Sequence, residues 1–111
     1  MMFVTGPLFS GKRTFVKKYF GWTDGELLRN AVLDAQFLAA SEEDTESLAD
    51  RLAEAAVVVS VEVGGGVVPS DAAERVRRER AGQLACLLAE RADIVVRLCC
   101  GLPEVLKGEL P

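Results

Sequence analysis

The chain contains no histidine in 111 residues. That excludes Ser-His-Asp and Cys-His catalysis within it, His-ligated zinc, and any phospho- or nucleotidyl-histidine intermediate. Cysteine is sparse. Cys86, Cys99 and Cys100 are too few and too unevenly spaced for a zinc site, and an odd count with two adjacent thiols does not make a disulfide framework. Reduced, buried thiols in a cytoplasmic protein are the expectation. Basic charge is not in excess: 13 Lys and Arg stand against 17 Asp and Glu, a net charge of −4. A general nucleic-acid binder needs a basic footprint, so none is expected here. Long apolar runs are also lacking. The longest have strand length, far short of the roughly 20 residues of a membrane span. Met1 to Thr5 is apolar but short and lacks a basic flank, so neither a secretory leader nor a membrane partner is expected.

What is present alternates between two patterns. Met2–Thr5, Asn30–Asp34, Val57–Val63 and Asp93–Cys100 are short apolar runs that read as strands. Between them Lys12–Phe20, Asp44–Ala56 and a long segment from Ser70, as N-cap, to about Ala92 carry helical spacing. Gly21 closes the first helix, and Phe15, Val16, Tyr19 and Phe20 form its apolar face. Val76, Leu84, Leu87 and Leu88 form the stripe of the last. Strands alternating with helices give βαβ units, so the expectation is one α/β domain over residues 1–111 with a parallel sheet of about four strands. The tail Glu104–Pro111 is expected to be ordered only in part. Arg75, Arg77, Arg78 and Arg80, interleaved with Glu74 and Glu79, read as a solvated helix face with internal ion pairs or else as a run that binds a phosphate or a partner. Trp22 is expected to pack a loop or a partner surface.

The chemistry lies in Gly6-Pro7-Leu8-Phe9-Ser10-Gly11-Lys12-Arg13, between the first strand and the first helix. It fits the phosphate-binding pattern GxxxxGK[ST] at every fixed position but the last. Such a loop turns backbone N–H groups inward as an anion nest, and the helix start adds partial positive charge. Gly6, Ser10, Gly11, Lys12, Arg13 and Thr14 are therefore the candidate nucleotide-binding residues, with Lys12 reaching the β- and γ-phosphates of GTP or ATP. Arg13 stands where a Mg²⁺-binding hydroxyl is required. Thr14 is one helical step, about 100°, off that direction. Asp34, ending the second run, is the candidate Mg²⁺ ligand or else a helix cap. Glu62, inside an apolar strand, is a candidate catalytic acid beside Lys12 or else an edge residue facing water. Gly64-Gly65-Gly66 either lets a ligand approach the sheet edge or forms a plain turn.

The stretch Val57–Gly108 resembles the bifunctional adenosylcobinamide kinase/adenosylcobinamide-phosphate guanylyltransferase family of cobalamin biosynthesis. The residues that carry the likeness are Glu62-Val63-Gly64-Gly65-Gly66-Val67-Val68-Pro69, Arg75, Asp93–Leu98, Gly101-Leu102-Pro103 and Leu106-Lys107-Gly108. Val4-Thr5-Gly6, Ser10-Gly11-Lys12 and Asn30–Leu38 extend it towards the start, with Ala35-Gln36 replacing the family's usual Cys-Leu. The resemblance implies a three-layer, RecA-like P-loop NTPase fold, here reduced in size. It implies nucleotide and cobinamide as partners, and an oligomer. Family members are longer between the first helix and the Asp34 strand, and that stretch holds the histidine that carries the guanylyl group.

Two readings stay open on sequence. One is a non-catalytic relative that binds a nucleotide, a corrin or an intact family member. The other is an active nucleotide-dependent adenosylcobinamide kinase without the guanylyltransferase step, in which Lys12 clamps phosphates, Asp34 holds Mg²⁺ and Glu62 acts at the substrate hydroxyl.

Overall fold

The computed structural model describes residues 1–41, 43–62 and 71–111. Strand β1 (Met2–Gly6) leads through a loop into α1 (Lys12–Phe20). Then come α2 (Asp24–Asn30), β2 (Ala31–Val32), a 3-10 helix over Ala35–Ala40, α3 (Thr45–Leu52), β3 (Val57–Val61), α4 (Ala72–Arg91), β4 (Ile94–Cys99) and β5 (Leu102–Lys107). The sheet order is β2-β3-β1-β4-β5. The first four strands are mutually parallel, and β5 returns antiparallel along β4.

Continuous β-branched runs suit strands covered on both faces, and β1 and β3 are buried along nearly their whole length. Alternation splits their side chains between two cores. Phe3, Val58 and Val95 face the 3-10 helix, α3 and α4, where Ala35, Leu48, Leu84 and Leu88 meet them. Met2, Val4, Val57, Val59, Val96 and Leu98 face α1 and α2, against Val16 and Leu27. The result is the three-layer α/β arrangement anticipated for a reduced P-loop NTPase-like fold.

Several expectations are corrected. The sheet has five strands and is not wholly parallel, because Cys100 and Gly101, with φ of 52° and 77°, form a tight two-residue turn that folds the chain back as β5. Half of the expected tail, Glu104–Lys107, is thus strand. The second strand is only Ala31–Val32: Asn30 ends α2, and Asp34 turns into the left-handed region at φ 55°. Helix α2 is an addition. Thr23 accepts from the Glu26 N–H while Glu26 accepts from the Thr23 N–H, a closed capping box. Helix α3 stops at Leu52, short of Ala56. In α4 the buried side is Ala81, Leu84 and Leu88, whereas Val76 is exposed. Asp71 caps α4, accepting from the Ala73 N–H; the expected cap Ser70, Val63 and the Gly64-Gly65-Gly66 segment lie outside the described residues. All three cysteines are exposed, not buried. Cys86 is on the outer side of α4, and Cys99 and Cys100 end β4 and enter its turn. Trp22 stacks on Phe20 at 4.4 Å between centroids.

Candidate functional site

The loop between β1 and α1 is fixed from three sides. Gly6 ends β1 with φ 149°, and a Cβ there would run into the Leu98 carbonyl, so only glycine fits. The Gly6 carbonyl accepts from the Glu62 N–H at 2.8 Å, which ties the loop to the end of β3. The Ser10 carbonyl accepts from the Gly101 N–H at 2.8 Å, which ties it to the β4–β5 turn. Phe9 adopts φ 60°, unusual for a bulky residue, and its ring is 94% exposed. Gly11, at φ 93°, precedes α1 without a side-chain cap, and no acid occupies the first turn. The helix therefore starts with uncapped N–H groups facing the loop, the electrostatic setting for an anion.

Lys12 is turned into this loop and is 8% exposed. Its Nζ donates to the Pro7 carbonyl at 2.6 Å and to Ser10 Oγ at 3.3 Å. Both acceptors are neutral. Burial holds the Lys12 ammonium below its ordinary pKa of 10.5; the charges of Asp34 and Glu62 offset part of that, and Arg13 adds to it.

Ser10, Gly11, Lys12, Arg13, Thr14 and Asp34 line one cleft of about 340 Å³. Gly6 lies at the base of the loop. Glu62 is exposed at the end of β3, and Arg97 donates to both of its carboxylate oxygens, through Nε to Oε1 and through Nη2 to Oε2. Arg13 Nη2 donates to Asp34 Oδ2 at 2.8 Å. That pair is roughly half exposed on each side, so the contact is worth about 0–1 kcal/mol. Its chemical consequence is larger than its energy. A dication at Asp34 needs oxygen donors, and here a permanent guanidinium stands beside the carboxylate in place of a hydroxyl. The donor set does not suit Mg²⁺. Among the described residues no group of three or more Cys, Asp or Glu side chains gathers to hold a metal ion.

Sequence reading did not reach Leu8, Phe9, Val59 and Val61, which complete the cleft, nor Arg97, the partner of Glu62. A charge inside each of two apolar strand runs, Glu62 and Arg97, was the available signal for that pair. Gln36 was also missed as a bracing residue. Its Oε1 accepts from the Val61 N–H at 3.0 Å, past the point where the two-residue β2 stops pairing with β3.

No helix among the described residues is long and apolar enough to cross a membrane. The comparison with curated proteins gave no match. The family model described as cobinamide kinase / cobinamide phosphate guanyltransferase matches residues 20–106. The match starts after the phosphate loop; β3 and β4 fall inside it, and β5 does so as far as Leu106. The chain belongs to the cobinamide kinase / cobinamide phosphate guanyltransferase family.

Proposed function

We propose that the chain is a non-catalytic member of this family that binds the phosphates of GTP or ATP at the Gly6–Arg13 loop without a metal ion. The carrying observation is the Arg13–Asp34 ion pair. It puts a fixed positive charge where metal-dependent phosphoryl transfer needs a hydroxyl and a free carboxylate. The loop itself keeps what an anion needs. Lys12 is buried against neutral acceptors that a phosphate oxygen outcompetes, since a charge-assisted bond is roughly twice as strong as a neutral one. Arg13 supplies a second cation suited to phosphate oxygens.

Glu62 fits the non-catalytic reading. Both its oxygens accept from Arg97, so the carboxylate is held in an ion pair instead of standing free beside a substrate hydroxyl. Guanylyl transfer through a histidine of this chain is excluded by composition. The family relation supports cobinamide as a candidate partner of the nucleotide-bound form, and the reading adds an intact family member or a second copy as the alternative partner.

The test is Arg13→Ser. The native protein should bind GTP equally with Mg²⁺ or with EDTA and should not phosphorylate cobinamide. Arg13→Ser frees Asp34 and restores a hydroxyl, so its GTP affinity should become Mg²⁺-dependent. Mg²⁺-dependent phosphorylation of cobinamide by the native protein, lost in Lys12→Ala, would overturn the reading in favour of an active kinase.

A further inference from the structure

The two edges of the sheet differ. At one edge β2 is only two residues long, and beyond it Gln36 Oε1 accepts from the Val61 N–H, which closes the rim of β3. At the other edge β5 stands open. It is exposed along its whole length, and Leu102, Val105 and Leu106 are apolar. An open edge strand is a template for pairing with another strand.

The charges on β5 select the strand. Glu104 lies opposite Arg97 and Lys107 opposite Val95, with a bulge between them. Arg97 and Val95 are two apart on β4 and share a face. Glu104 and Lys107 therefore share it too, although they are three residues apart. That face is the α4 side, where Lys107 Nζ donates to the Ala89 and Glu90 carbonyls at 3.1 and 2.8 Å. An ammonium has three donors, so one remains. Glu104 has no hydrogen bond or ion pair among the described residues. Val105 and Leu106 lie between the two charges.

We propose that β5 docks a second copy of this chain, paired antiparallel about a two-fold axis normal to the sheet between Val105 and Leu106. In that register Glu104 of each copy faces Lys107 of the other, and Val105 faces Leu106. Apolar pairs sit at the centre and ion pairs flank them. A slip of one position either way takes both charges out of register. Pro103, which lacks an N–H, and Gly108, at φ 73°, bound the paired stretch. A pattern that complements itself fits an isologous contact between copies better than a foreign strand. This gives the second copy named above its surface. Association through β5 is independent of the phosphate loop, because antiparallel pairing sets the two loops at opposite ends of the joined sheet.

Sedimentation velocity of the native chain, from micromolar to millimolar, should show a reversible monomer–dimer equilibrium. Glu104→Lys sets lysine against lysine across the axis, and Lys107→Glu sets glutamate against glutamate. Each should raise the dimer dissociation constant about tenfold or more, since two favourable cross-strand pairs become repulsive. Mixing the two variants should restore a dimer of near-native affinity, because every cross-strand pair is again lysine with glutamate. Glu104→Lys, on an exposed side chain with no partner to lose, carries the test even where Lys107→Glu loses its hold on α4. A native chain that stays monomeric at millimolar concentration, or an assembly that Glu104→Lys does not weaken, would overturn the β5 interface and leave the phosphate-loop reading standing. Weakening without rescue on mixing, with both variants native by circular dichroism, would overturn it as well.

Discussion

Gly6 and Lys12 carry most of the site's physics at the scale of single residues. At Gly6 the backbone is in a region only glycine adopts freely, and the space a side chain needs is filled by main chain, which cannot step aside. Gly6→Ala should therefore cost about 3 kcal/mol or more, read as a lower urea midpoint at unchanged slope. Lys12 is a buried cation whose folded pKa lies below 10.5 because desolvation outweighs the nearby carboxylates. Between the depressed folded value and the unfolded value of 10.5, the unfolded chain binds more protons, so stability rises with pH through that window. The sign is testable against Lys12→Met. As pH rises towards 10.5 the native protein should gain stability relative to the variant, and a gap that stays constant or moves the other way would contradict the burial argument. The loop residues were legible because glycine and lysine at fixed spacing have a backbone reason to be there. The Glu62–Arg97 pair was not, because two charges in separate strands become neighbours only once the sheet order is known.

Among the elements, those made by local pattern were legible and those made by partners were not. β1, β3 and β4 announce themselves by β-branched runs, and α1 by its spacing and closing Gly21. Helix α2 hides behind Gly25 and a polar composition, yet Thr23-Asp24-Gly25-Glu26 holds its capping-box signal. Removing that cap with Thr23→Ala should destabilise the protein by about 1 kcal/mol in chemical denaturation, with no effect on nucleotide binding if α2 only supports the core. β5 is exposed along its whole length and contains Pro103, so no burial pattern marks it. It exists because the Cys100-Gly101 turn lays it against β4, with a bulge at Val95/Val96. The 3-10 helix likewise depends on a tertiary demand: Ala35 and Ala39 fit beneath α4, and Gln36 caps the free edge of β3.

For the whole molecule, three layers place every candidate residue at the carboxyl ends of parallel strands. β1 delivers the loop, β3 delivers Glu62, the end of β2 leads to Asp34, and the β4–β5 turn locks the loop through Gly101. The fold class was legible from strand–helix alternation. The state of the site was not, because whether Asp34 faces a metal or Arg13 depends on where the chain turns after Val32. The central claim is a phosphate site that works by lysine, arginine and helix start without a metal. The most direct measurement is calorimetric titration of the native protein with GTP, once in Mg²⁺ and once in EDTA, with Lys12→Ala alongside. The account predicts saturable binding of similar affinity in both buffers, lost in Lys12→Ala. Binding that requires Mg²⁺, or no binding at millimolar GTP, would contradict it.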